Sequence, residues 1–106
     1  MDLDQLARAM AILGSLDPGK LPFHHAQVLL FIAKNEPVRY RDIEEAFDLS
    51  NASASRIVNS LGEHAKHRQE CLGLVEVVID PSEGRRYLVR LTKKGKAVRD
   101  AIKAVA

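Results

Sequence analysis

The sequence lacks the features that would mark a membrane protein or a disulfide-bonded secreted protein. Among 106 residues there is one cysteine, Cys71, so no disulfide can form within the chain, as is typical of a reducing compartment. The longest apolar run, Val28 to Ala33, is far too short to cross a bilayer. The N-terminus begins with acidic residues and lacks the basic and apolar regions of a signal peptide. We therefore expect a cytoplasmic protein with no membrane segment.

Enzyme signatures are missing as well. We find no GxSxG, no P-loop, no HExxH and no glycine pattern of a dinucleotide-binding fold. Glu44 and Glu45 are adjacent in a predicted helix, so their carboxylates would point about 100° apart and could not act as an acid–base pair. We expect no enzymatic activity and no cofactor.

The segment between residues 62 and 73 contains side chains of zinc-ligand type. His64, His67 and Cys71 are spaced as HxxHxxxC, but a structural zinc site needs four ligands and no CxxC accompanies them. We predict no metal site. The alternative role for the segment is phosphate binding by His64, Lys66, His67 and Arg68.

What is present is an ordinary soluble composition with uneven charge. With no Trp and five aromatic residues, the core must be aliphatic. Residues 1–62 carry 6 basic and 8 acidic side chains, whereas residues 63–106 carry 10 basic and 6 acidic ones. A basic C-terminal part indicates either an anionic partner on one face or a solvated, lysine-rich helix.

Hydrophobic periodicity predicts helices through the first half of the chain. We expect an N-terminal helix and turn over 1–20, with its helix at Leu3 to Leu16, and then a largely buried helix within 21–37. A short helix follows at about Tyr40 to Phe47, and its inward residues are predicted to be Ile43, Ala46 and Phe47.

The stretch SNASASRIVNSL, residues 50–61, is predicted to be a second short helix after a tight turn. Ser50 is a suitable N-cap, and the aliphatic side chains recur at helical spacing at Ala54, Ile57, Val58 and Leu61. Residues 39–62 therefore have the pattern of a helix-turn-helix.

The chain then changes to a period of two. Strands on either side of the turn signal PSEG form a predicted hairpin over 74–92, and a helix follows over 93–106. Thr92 can cap that helix, whereas Gly95 weakens its first turn. We predict one domain over 1–106, mainly α with a small β-hairpin: a winged helix-turn-helix.

The outer face of the helix at 50–62 is suited to DNA, because short hydroxyls and amides let a backbone approach a duplex and bind base edges or phosphates. A solvated face usually carries Glu and Lys, and this stretch has neither. Arg56 is its one long donor. The predicted DNA-binding residues of this helix are Ser50, Asn51, Ser53, Ser55, Arg56, Asn59 and Ser60.

The runs DIEEAFDLSNASASRIVNSL and LVEVVIDPSEGRRYLVRLTKKG together resemble the multiple-antibiotic-resistance regulator (MarR) family of winged-helix transcription factors. The resemblance implies a sequence-specific regulator of double-stranded DNA, here a repressor. The recognition helix, 50–62, would enter the major groove, and the wing, 80–86, would bring Arg85 to a minor groove. Arg86 beside it, and Arg39 and Arg41, are further candidate DNA contacts or ordinary surface charges.

The chain also departs from the family, whose members continue past the wing into long dimer-forming helices. We expect a homodimer through the N- and C-terminal helices, although the apolar stripes of Leu3–Leu16 and Val98–Val105 could instead pack on each other within one monomer. Two functional alternatives stay open: a winged helix that binds a protein, and a DNA-binding replication or phage accessory protein without a regulatory ligand.

Overall fold

The order of the secondary structure elements is that of a winged helix. In the computed structural model, which describes residues 1–16, 21–62, 72–84 and 86–105, five helices accompany one antiparallel hairpin. The elements are α1 (Leu3–Ser15), α2 (Phe23–Asn35), α3 (Tyr40–Phe47), α4 (Asn51–Leu61), β1 (Val75–Ile79), β2 (Tyr87–Leu91) and α5 (Lys93–Lys103). The predicted fold class is therefore confirmed.

Side-chain caps fix where three of the helices begin. The Asp2 carboxylate accepts the Gln5 amide at 2.8 Å, and the Gln5 side chain accepts the Asp2 amide in return. The Ser50 hydroxyl accepts the Ser53 amide at 3.1 Å, and Thr92 does the same for Gly95 at 3.1 Å. Each cap satisfies a backbone donor that has no partner within its own helix.

A tight turn sets α4 against α3. Asp48 adopts the left-handed conformation, with φ 52° and ψ 52°, and the Leu49 amide donates to the Glu44 carbonyl at 2.9 Å. Asp tolerates this conformation better than most residues, which suits it to the end of a helix. One prediction for α3 is wrong: Ala46 is exposed, because the helix faces the core along the row of Ile43 and Phe47.

The hairpin is anchored to the helices at one end and projects at the other. Val75 pairs with Leu91 at the anchored end, where both are buried, and Ile79 pairs with Tyr87 at the projecting end, where both are exposed. Val38 adds a backbone bridge to Val89, through N–H···O bonds of 3.0 and 2.7 Å. This bridge ties the start of the helix-turn-helix to the wing.

The core lies between the helices and the anchored end of the hairpin, and its buried side chains are aliphatic. Ile32, Ile43, Leu61, Leu74 and Val89 are among those fully enclosed. At its edge, the Phe31 and Phe47 rings pack edge to face with centroids 5.6 Å apart. None of the helices in the described part of the chain has the length and apolar character to span a bilayer.

Candidate nucleic-acid interface

Helix α4 is held by four aliphatic side chains and presents its polar residues outward. Ala54, Ile57, Val58 and Leu61 are buried, as the spacing predicts. Because successive residues of a helix are turned by about 100°, the remaining positions divide into two groups. Asn51, Ser55 and Asn59 lie one turn apart on the side toward the hairpin, and Arg56 stands on the outermost side. The outer face that the sequence predicts for α4 therefore consists of two surfaces, one toward the hairpin and one, with Arg56, toward solvent.

Arg56 is exposed and only weakly held. Its Nη2 lies 3.4 Å from the Ser53 hydroxyl, which also lies 3.1 Å from the Ser50 hydroxyl. Among the described residues, no carboxylate forms an ion pair with Arg56. The guanidinium is thus available to bind a guanine edge or a phosphate through two parallel hydrogen bonds.

The first residue of α4 is tied to the preceding helix. The Asn51 amide Nδ2 donates to Glu44 Oε2 at 3.2 Å, which connects the outer surfaces of α3 and α4. Its remaining oxygen is still free to accept, so Asn51 can reach a partner without losing this contact. Ser60, near the other end of the helix, is half-buried.

A cleft separates α4 from the wing. It has a volume of about 590 Å³ and is lined by Tyr40, Asn51, Ser55, Asn59, Val77 and Tyr87. Burial of the Tyr40 phenol, with a further contribution from the nearby Tyr87, raises the pKa of Tyr40 above its ordinary value. The Tyr40 phenol therefore keeps its proton at neutral pH. Our sequence interpretation missed both tyrosines, although each adjoins a predicted contact, Tyr40 next to Arg39 and Tyr87 next to Arg86.

The turn of the wing is organised by two acidic residues. The Asp80 carboxylate accepts the Ser82 amide at 2.9 Å and the Ser82 hydroxyl at 2.7 Å, and these bonds hold the pKa of Asp80 below its ordinary value. Glu83 forms a 2.6 Å ion pair with Arg86 Nε. Arg86 thus has a partner within the wing, whereas Arg85, the predicted wing-tip contact, lies outside the described residues.

The two predicted arginines at the start of α3 are also paired. Arg39 lies 3.6 Å from Asp42 in a partly exposed pair, and Arg41 donates to Glu45 at 3.1 Å in a largely exposed one. Exposed pairs of this kind are weak, so either guanidinium can exchange its carboxylate for a phosphate at small cost.

The zinc-type side chains and the proposed phosphate contacts of the segment between residues 62 and 73 lie outside the described residues, since they all fall within 63–71. Elsewhere, in the part of the chain that the structure describes, no group of three or more His, Cys, Asp or Glu side chains is placed to hold a metal.

Away from α4, apolar side chains are exposed on the first helix. α1 contacts α5 within the chain, yet Leu3, Leu6 and Met10 are about half exposed or more. An apolar groove of about 270 Å³ also opens between α2 and α5, with Leu29, Val98 and Ile102 among its lining residues. Packing within one monomer therefore leaves part of the predicted stripe uncovered.

Comparison with known proteins points to one family. The model of the MarR family matches residues 20–64, the part of the chain that contains α2, α3 and α4. No curated protein sequence matches the chain.

Solved structures with the same fold are regulators of this family. A MepR–DNA complex from S. aureus is 16% identical with a TM-score of 0.72, over 96% of this chain and 75% of that one. A transcriptional regulator, Tm0710, from Thermotoga maritima is 17% identical with a TM-score of 0.73, over 95% and 63%. The PcaV regulator from Streptomyces coelicolor, in complex with its natural ligand, is 24% identical with a TM-score of 0.63, over 96% and 65%. The chain thus spans about two thirds of the length of these structures, and the predicted resemblance is confirmed.

Proposed function

We propose that this chain, a MarR-family winged helix by its fold and by the match of its residues 20–64, binds double-stranded DNA as a sequence-specific transcriptional regulator. The observation that carries the proposal is helix α4: an exposed surface of short polar side chains surrounds one arginine, Arg56, that no described carboxylate neutralises. A face built only for solvation has no need to avoid Lys and Glu throughout its length.

In the proposed complex, recognition helix 50–62 lies in the major groove and wing 80–86 lies at the adjacent minor groove. Ser50, Ser53 and the helix N-terminus suit a phosphate, and Asn51 and Asn59 suit adenine. Arg85 follows a narrow minor groove, whose negative potential attracts a guanidinium. Regulation is by repression, because a protein bound over a promoter occludes it.

The active form in this proposal is a homodimer through the N- and C-terminal helices. The apolar surface of Leu3, Leu6 and Met10 supports it, as does the groove between α2 and α5. A lone winged helix makes few phosphate contacts, and two-fold pairing doubles them. Light scattering at micromolar concentration should give twice the 11.8 kDa chain mass. A monomer mass would refute the dimer and leave DNA binding untouched.

Selection of bound sequences from a random DNA pool tests the central proposal. A palindromic consensus is expected, since a two-fold symmetric homodimer binds a two-fold symmetric DNA sequence. Arg56→Ala should then weaken binding to that sequence by about 1–3 kcal/mol and relax the preference at one position. Arg8→Ala, an exposed arginine on α1, is the matched control and should bind as the wild type does. No enrichment, or equal binding by both variants, would overturn the assignment.

A second candidate is a winged helix that binds another protein. It is favoured by the small net charge of +2 and by the engagement of Arg39, Arg41 and Arg86 in ion pairs. A salt titration of DNA binding separates the two candidate functions. If the chain binds DNA through its phosphates, the logarithm of the affinity should fall steeply and linearly with the logarithm of the salt concentration.

A further inference from the structure

The cleft between α4 and the wing brings together polar groups from three parts of the chain. Tyr40 is the first residue of α3, Ser55 and Asn59 face the cleft from α4, and Tyr87 is the first residue of β2. The bridge between Val38 and Val89 holds the strand that carries Tyr87 beside the helix that begins with Tyr40. The cleft is thus a structured feature of the fold, with a fixed spacing between its two walls.

Apart from Asn51, which donates to Glu44, the polar groups that line this cleft have no hydrogen-bond partner in the part of the chain that the structure describes. Among the described residues, no hydrogen bond reaches the phenol oxygens of Tyr40 or Tyr87 or the side chains of Ser55 and Asn59. Tyr87 is 57% exposed although it is a large side chain on a strand, and Tyr40 is half-buried with its ring against the core. Four polar side chains are therefore free to bind something that enters the cleft.

The geometry of B-DNA indicates which ligand would occupy the cleft between α4 and the wing. In B-DNA a single sugar–phosphate strand separates a major groove from the neighbouring minor groove. A protein with one element in each groove must straddle that strand, and the space between the two elements must hold it. With α4 in one groove and the wing at the other, the cleft lies where the strand passes.

We propose that Tyr40 and Tyr87 are backbone-binding residues, whose phenol hydroxyls donate hydrogen bonds to the phosphates of the DNA strand that runs between α4 and the wing. This inference rests on the proposed function and adds two contacts to it. Tyrosine is among the side chains that bind phosphate oxygens in protein–DNA complexes. The raised pKa of Tyr40 supports the role, because only a protonated phenol can donate a hydrogen bond to a phosphate oxygen.

The chemistry of a phenol separates this role from that of a basic side chain or a base-reading one. A neutral hydroxyl releases no counterions, so its removal should leave the slope of log affinity against log salt unchanged. A contact to phosphate carries no sequence information, so its removal should weaken specific and non-specific binding by the same factor. A tyrosine that reads a base would instead change sequence preference.

The test uses the full chain and the variants Tyr40→Phe, Tyr87→Phe and the double variant. Phe keeps the ring and removes only the hydroxyl, so the melting temperature should stay near that of the wild type. Fluorescence anisotropy should show about tenfold weaker binding for each single variant, to the selected duplex and to a scrambled duplex alike. Ser15→Ala, which removes an exposed hydroxyl on α1, is the matched control and should bind normally.

A duplex with single methylphosphonate groups identifies the acceptors. At a phosphate bound by Tyr87, the uncharged substitution should weaken wild-type binding but cause little further loss in Tyr87→Phe. Unchanged affinity in both tyrosine variants, a shifted sequence preference, or additive losses at every methylphosphonate would each overturn the inference while wild-type DNA binding stands. Failure of the wild type to bind any duplex would overturn the proposed function, and this inference with it.

Discussion

Gly95 packs directly against the backbone carbonyl of Leu74, so closely that a side-chain carbon at position 95 would overlap the carbonyl oxygen. The same carbonyl accepts the Thr92 amide at 3.0 Å, and the Thr92 hydroxyl donates to the Gly73 carbonyl at 2.7 Å. The first turn of α5 is thereby fixed to the chain that enters β1. The glycine that weakens this helix in isolation is what allows the helix to reach the hairpin.

Gly95→Ala should therefore destabilise the protein, even though Ala is the better helix former. We expect the free energy of unfolding, measured with urea, to fall by about 1–3 kcal/mol, the usual cost of forcing an extra methyl group into a packed site. Gly14→Ala is the matched control, since Gly14 also lies in a helix but has open space around its α-carbon. That variant should gain about 0.5–1 kcal/mol. Equal effects at the two glycines would contradict the role of the contact.

Glu36 connects three elements at the end of α2. Its Oε1 accepts the Leu91 amide at 3.2 Å, and its Oε2 lies 3.3 Å from Arg99 of α5; both side chains of the pair are largely buried. Glu36→Ala leaves the Leu91 amide without this acceptor and leaves the Arg99 guanidinium with its exposed partner Asp100 alone. The expected loss in unfolding free energy is about 1–3 kcal/mol.

The exposed pair of Arg41 and Glu45 provides the comparison for Glu36. Glu45→Ala should change the unfolding free energy by no more than about 0.5 kcal/mol, because an ion pair in water contributes little. Similar losses in the two variants would show that burial is not what makes the Glu36 contacts matter.

Local signals in the sequence were enough to predict the helices and the hairpin. The aliphatic spacing and the Ser50 cap predict α4, and the alternation around PSEG predicts the strands, because each signal acts over a few residues. The inward position of Ala46 was predicted wrongly, since a short helix has several residues near the edge of its buried face. Packing against the rest of the protein decides which of them are covered.

Contacts between distant parts of the chain could not be predicted in this way. The Val38–Val89 bridge, the Glu36–Arg99 pair and the cleft between Tyr40 and Tyr87 each join residues at least 47 positions apart. No local pattern marks such pairs. Helical periodicity also gives no way to distinguish the outward residues of α4 from one another. In the fold, Ser55 and Asn59 face the wing, and Arg56 lies outside the cleft.

The Asp80–Ser82 contact predicts a pH effect in the wing. Ser82→Ala should raise the pKa of the Asp80 carboxyl toward its ordinary value of 3.8, because it removes the hydroxyl hydrogen bond, the larger of the two from Ser82 that favour the ionised form. Since the pKa of Asp80 is lowered in the folded state, its contribution to stability is present above pH 3.8 and is lost as the pH falls through the lowered value. Carboxyl chemical shifts followed by NMR measure this directly. Ser15→Ala should leave the Asp80 titration unchanged, and an unaltered pKa in Ser82→Ala would contradict the assignment.

The Glu83–Arg86 pair predicts a variant that binds DNA more tightly. Glu83→Gln removes a negative charge from the wing turn and releases Arg86 from its ion pair, so that the guanidinium can bind a phosphate. The affinity should rise by up to about fivefold, the range that corresponds to an exposed charge interaction. If Arg86 then binds one more phosphate, the salt slope should steepen by about 0.9. Glu76→Gln is the matched control: it releases Arg90 in the same way, but near the anchored end of β1, away from the turn. Anisotropy titrations of both variants should therefore show the larger gain for Glu83→Gln. Equal gains would mean that only net charge matters, and weaker binding by Glu83→Gln would mean that the ion pair holds the wing in the shape that DNA requires.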